Sequence, residues 1–220
     1  MGIVDGRGKI NGSVASKNRA GAYVRTKVSP VNPNTTYQAG ARSLLAGLSA
    51  NWRELTQAQR DAWNAAVSDF QRTDVFGDLR KPTGKNLYTR LNINLSNIGQ
   101  PWISVPPAAV NLAPAVISGV TISVGTPTYE IAYTPGTAGS TMLLFATAPQ
   151  SAGKNFVKSE FRLIGSFAAD AASPYDFEAD YTTRFGVPTV GEKVFVRVMA
   201  INDATGISSA PQELYTIVAS

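Results

Sequence analysis

The stretch Lys193-Val-Phe-Val-Arg-Val-Met-Ala-Ile201 alternates without a break, so that Val194, Val196, Val198 and Ala200 fall on one side. An alternation of that length marks a strand with one face in a core. Outward from it the same texture recurs at Val116–Val124, Thr128–Thr134, Thr141–Ala148 and Glu160–Phe167, with a last strand near Gln212–Val218. Turn signals lie between these runs: Thr134-Pro-Gly136, Gly139 and Asp203-Ala-Thr-Gly206.

Residues 115–220 therefore predict an all-β module with the size and rhythm of an immunoglobulin-like or fibronectin type III-like sandwich. The chain has no cysteine, and its three tryptophans, Trp52, Trp63 and Trp102, all precede the module. With neither a disulfide nor a core-strand Trp, the fibronectin-like variant is favoured. Asp176, Glu178 and Asp180 alternate as well, which puts them on the solvated face of a strand rather than in a calcium loop.

Upstream the period changes. Thr35 or Thr36 can cap a helix reaching about Leu48, with Leu44, Leu45 and Leu48 as its apolar stripe. Thr56-Gln-Ala-Gln59 fits a capping box for a helix carrying Ala62, Trp63, Ala66, Val67 and Phe70 on one face. A third pattern, Lys85 to Asn97, spaces Leu87, Leu91 and Leu95 by four, with Tyr88 alongside and Gly99 as the stop. Residues 34–99 thus predict a small three-helix segment anchored by Trp52, Trp63 and Phe70. Residues 100–114, with four prolines, read as a stiff extended linker. The expected class is α+β and multidomain: an extended N-terminal arm over 1–33, the helical segment, the linker and the sandwich.

The net charge of +5 is unevenly placed. Residues 1–110 hold 14 Lys/Arg against 6 Asp/Glu, whereas residues 111–220 hold 6 against 9. The first 42 residues set seven cations against Asp5 alone. Glycines at 2, 6, 8, 12 and 21 raise the entropic cost of ordering this arm without a partner. Arg7, Lys9, Lys17, Arg19, Tyr23, Arg25 and Lys27 are its candidate partner-binding residues. Within it, Gly21–Val28 alternates weakly and suits addition to a neighbour's sheet edge. Such an arm docks on an acidic protein surface or, as a second expectation, tracks a phosphate backbone.

Catalytic readings fare poorly. With no histidine and no cysteine, Ser-His-Asp, Cys-His and thiolate-zinc chemistries are excluded. Gly77-Asp-Leu-Arg-Lys-Pro-Thr-Gly84-Lys85-Asn86 fails as a phosphate loop, because Leu79 and Asn86 stand where Gly and Ser/Thr are required. No Gly-x-Ser-x-Gly elbow occurs. No catalytic, cofactor or metal residue is expected. No apolar run has signal-peptide or membrane-span length, which predicts cytoplasmic synthesis and no membrane partner.

Three stretches carry a resemblance: GKINGSVASKNRAGAYVRTKVSPVNPNTTYQAGAR, LSANWRELTQAQRDAW and TGKNLYTRLNINLSNIGQP. The combination of Asn32-Pro33-x-Thr35-x-x-Gln38-x-x-x-Arg42 with Trp52, Leu55-Thr56, Gln59-Arg60 and Trp63 resembles structural proteins of tailed-bacteriophage and prophage virions. The C-terminal half resembles fibronectin-type modules, which are common on phage surfaces and bacterial adhesins. The resemblance implies a non-enzymatic virion component present in multiple copies. It would be a head-associated accessory (cement or decoration) or connector protein, laced to capsid, portal or tail subunits by its arm. Two rivals predict other partners: a host-glycan recognition module, for which Trp102 is the nearest exposed aromatic, and an internal head protein contacting DNA.

Overall fold

A computed structural model of the chain describes residues 7–18, 21–73, 77–136 and 138–220. It is an α+β protein with two compact units, Met1–Ser43 and Leu44–Ser220.

In the first unit β1 (Gly8–Ile10), β2 (Ser13–Asn18) and β3 (Gly21–Thr26) form an antiparallel sheet in sequence order. The strand expected at 21–28 thus pairs within its own chain. Instead of running out as an extended arm, the three strands pair antiparallel with one another, β1 on β2 and β2 on β3. Asn11-Gly12 is the two-residue loop that joins β1 to β2 between the paired Ile10 and Ser13, with Asn11 at a φ of 49°. Asn-Gly is a strong short-range hairpin signal, and here Asn11 takes the positive φ that Asn tolerates better than most residues. Helix α1 (Thr36–Glu54) starts in this unit and ends in the other. It outlasts the expected stop at Leu48 because Trp52 and Leu55 continue the apolar spacing and nothing breaks it.

In the second unit α1 is followed by α2 (Gln57–Ala66), a 3-10 turn over Val67–Phe70, the short strands β4 (Arg72–Thr73) and β5 (Leu79–Arg80), and α3 (Gly84–Asn97). The capping box is formed: Gln59 N–H donates to the Thr56 hydroxyl at 3.3 Å and Thr56 N–H to Gln59 Oε1 at 2.9 Å. Gly84 lies against α2, where a Cβ would stand 2.9 Å from the Asn64 backbone nitrogen. That is why a Gly opens α3, and its Gly-Lys pair carries no phosphate loop. Leu48, Leu55, Trp63, Phe70, Leu87, Tyr88 and Leu91 share one cluster with Ile207 from far along the chain.

The proline-rich stretch is fastened to the helices. Buried Asn92 donates to the Ile103 carbonyl at 3.3 Å and accepts from the Ile103 amide at 2.7 Å. Trp63 Nε1 donates to the Ser104 carbonyl at 2.9 Å.

Beyond it come β6 (Val116–Ser123), β7 (Thr128–Thr134), β8 (Ser140–Ala146), β9 (Arg162–Ala168), β10 (Tyr175–Asp176), α4 (Glu178–Phe185), β11 (Lys193–Asn202) and β12 (Gln212–Ile217). Two antiparallel sheets result, ordered β10-β7-β6 and β12-β11-β8-β9. Val194, Val196, Val198 and Ala200 meet Ile117, Ile122, Tyr129 and Ile131 in one buried cluster. The Asp176–Asp180 alternation does not form a strand face. β10 ends at Asp176, and α4 begins at Glu178, whose amide donates to Asp176 Oδ1 at 2.9 Å. The helix forms because Phe177, Tyr181 and Phe185, spaced by four, turn one stripe into the core.

Two tyrosines couple this core to pH. Burial first, and then Asp180, which accepts from its hydroxyl at 3.2 Å, push Tyr175 up to about 12. Burial raises the fully buried Tyr181 as well. An unfolded tyrosine ionises near pH ~10, so the unfolded chain sheds protons that the folded chain retains. Stability is whole below that pH and falls as pH climbs toward about 12. Urea midpoints are therefore expected to drop across this window, and to drop less steeply in Tyr175→Phe.

Candidate functional site

The N-terminal sheet gathers most of the sequence-predicted partner residues. Its register sets Lys9 opposite Val14 and Val14 opposite Arg25, and the neighbouring row sets Ser16 opposite Tyr23. Directly paired residues of an antiparallel sheet project to the same side. Lys9, Tyr23 and Arg25 therefore share a face. Lys27, whose amide extends the ladder to the Gly12 carbonyl at 2.7 Å, lies two residues from Arg25 on that side.

The opposite face carries Ile10, Ala15, Ala22 and Val24, and Lys17 stands among them. Arg7 is exposed just before β1, and Arg19 lies outside the described residues. The structure thus separates Lys17 from Lys9, Arg25 and Lys27, which sequence spacing alone did not do. Ala15 on the central strand is buried, but Ile10 and Val24 remain 57% and 56% exposed, so this sheet buries its apolar side only in part. Among the described residues β1 and β3 are its edges, each presenting a row of backbone groups that pairs with no further strand.

The Asn32–Arg42 motif is a device for starting α1. Thr35 and Gln38 cap reciprocally, each amide donating to the other's side chain at 3.3 Å. Arg42 reaches back to donate to Asn34 Oδ1 at 3.0 Å and Asn32 Oδ1 at 3.1 Å. Asn34 sits at a φ of 46°, which an Asn tolerates better than most residues. The cap at Thr35 was legible in sequence; the guanidinium clamp was not, since it depends on Asn32 and Asn34 turning toward the helix.

The remaining predicted residues are architectural in position. Trp63 is fully buried, edge-on to Tyr88 with ring centroids 5.4 Å apart, and Trp52 tilts against the same ring at 5.3 Å. Phe70 is buried in that cluster and carries the Arg90 guanidinium 5.7 Å above its ring. Trp102 donates to Ser96 Oγ at 2.6 Å and would touch a Cβ at Gly47, and its ring is exposed, as the sequence leads one to expect. Among the described residues no group of three acidic side chains is placed to hold a metal ion, and no helix is long and apolar enough to cross a membrane. No protein-family model, curated protein or solved structure matches the chain.

Proposed function

We propose that this chain is a structural subunit of a tailed-phage virion, a head-associated accessory or connector protein that attaches through its N-terminal unit. The observation that carries the reading is a three-stranded sheet with, among the described residues, two open edges, a cationic face and an apolar face it leaves half uncovered. A three-stranded sheet gains independent stability by burying a hydrophobic face, and this one leaves Ile10 and Val24 more than half exposed. Covering both faces and pairing an edge on assembly is the way such a segment gains its order. The C-terminal part is read as a fibronectin type III-like sandwich. Three strands on one side and four on the other share a single core, and the chain crosses between sheets after β7, β9 and β10. On this reading the helices over 34–99 seat the subunit, the sandwich projects or bridges neighbours, and the chain performs no catalysis.

A second reading follows from the cationic face alone. Lys9, Arg25 and Lys27 beside Tyr23 also suit a nucleic-acid backbone, in which case duplex DNA affinity would collapse as salt is raised.

Quantitative mass spectrometry of purified particles, fractionated into full heads, empty heads and tails, tests the assignment. Copies tracking with both head fractions are expected. A chain lacking residues 1–33 is expected to be missing from particles while its sandwich stays folded. Normal incorporation of the truncated chain, or absence of the intact protein from particles, overturns the proposal.

A further inference from the structure

A recess of about 290 Å³ opens where the 3-10 turn, β4, α3, the proline-rich stretch and the chain after β11 converge. Arg72 and Arg90 both line it, with Asp69, Asn111 and Ser208. Two guanidiniums in one recess repel. Burial, and after it the charge of Arg72, lower the Arg90 guanidinium below its usual value. Among the described residues neither arginine forms an ion pair; the Arg90 contact is the Phe70 ring beneath it. Asp69 lines the recess too, but its Oδ1 accepts from the Ser68 hydroxyl at 3.3 Å. Like cations held together in a half-enclosed space are stabilised by an anion between them, and guanidiniums grip planar oxyanions two bonds at a time.

We propose that the recess between Arg72 and Arg90 is a carboxylate site that takes a glutamate or aspartate side chain of another polypeptide. Charge selects the anion. Two arginines and Asp69 leave one net positive charge, which a carboxylate monoanion neutralises and a phosphate dianion overshoots. The lining selects the source. The Asn111 carboxamide and the Ser208 hydroxyl make no hydrogen bond among the described residues, which leaves donors and acceptors for a peptide backbone beside the carboxylate. Residues from positions 69 to 208 build the site, so it exists only in the folded unit. It belongs to the Leu44–Ser220 unit and does not depend on the role of the N-terminal sheet.

The test follows the Nε–Hε resonances of Arg72 and Arg90 in the full-length protein. Four probes are titrated: acetyl-Gly-Glu-Gly-amide, acetyl-Gly-Gln-Gly-amide, acetate and inorganic phosphate. Saturable shifts at both arginines are expected with the Glu peptide, at least tenfold tighter than with the Gln peptide or acetate. Arg72→Gln, at an exposed position, is expected to weaken the Glu peptide about tenfold while the remaining spectrum is preserved; Arg90→Gln is expected to match it. Equal shifts from the Gln peptide, or no shift from any probe, overturn the site. Phosphate binding more tightly than the Glu peptide overturns the choice of anion, and acetate matching the Glu peptide overturns the polypeptide source.

Discussion

Replacing Trp63 with alanine is expected to destabilise the Leu44–Ser220 unit by about 4 kcal/mol, near the middle of the range for a buried Trp. The indole is fully buried between α2 and α3 and meets the Tyr88 ring at 5.4 Å, edge to face. Removing it loses the apolar transfer energy and leaves a hole that the backbone of two helices can only partly close. It also strands the Ser104 carbonyl, which accepts from the indole nitrogen and pins the proline-rich stretch. Trp63→Phe separates the two terms, since it keeps most of the ring volume and drops the hydrogen bond. That variant should cost about 1–2 kcal/mol. Urea denaturation followed by far-ultraviolet circular dichroism reads both. A Trp63→Ala midpoint within error of the parent would show that the helical cluster does not depend on this residue.

Gly206→Ala is the second large effect, and it arises from the backbone. Gly206 lies between β11 and β12 at a φ of +70°, where an added Cβ would stand 2.3 Å from the Leu91 carbonyl oxygen. Its own carbonyl accepts from Asn94 Nδ2 at 2.8 Å, and Ile207 beside it enters the helical cluster. The loop is held in shape by Asn202, whose Oδ1 accepts from the amides of Ala204 and Thr205 at 3.1 and 3.0 Å. It therefore cannot swing away from α3 without breaking its own turn. Left-handed strain and overpacking together should cost about 3 kcal/mol. The loss should fall on the docking of this loop against α3. Hydrogen exchange is expected to show amides of α3 and the β11–β12 loop losing protection before those of β8 and β11. Uniform loss across the unit would mean the contact is not a local seam.

The expected strands at Thr128–Thr134 and Lys193–Asn202 fall on β7 and β11 because period-two alternation reports local backbone geometry directly. The Thr56–Gln59 box was legible for the same reason: all its partners lie within four residues. Short elements were harder to read. The hairpin at Asn11-Gly12 is hidden among glycines that raise the cost of ordering the segment, and α4 is hidden because Asp176, Glu178 and Asp180 alternate while Phe177, Tyr181 and Phe185 recur every four residues.

By itself, then, the sequence determined which segments alternate, which wind, where helices are capped, and that thiol and imidazole chemistry is absent. Only the tertiary structure decided which side chains share a face or a recess. Lys9, Tyr23 and Arg25 come together, and Lys17 does not, because of the registers of β1 on β2 and of β2 on β3. Arg72, Arg90, Asn111 and Ser208 converge because Ile207 is buried in the helical cluster and Gly206 admits the Leu91 carbonyl. Periodicity is a property of neighbours along the chain. Convergence depends on shape complementarity between surfaces more than a hundred residues apart, and no local pattern encodes it.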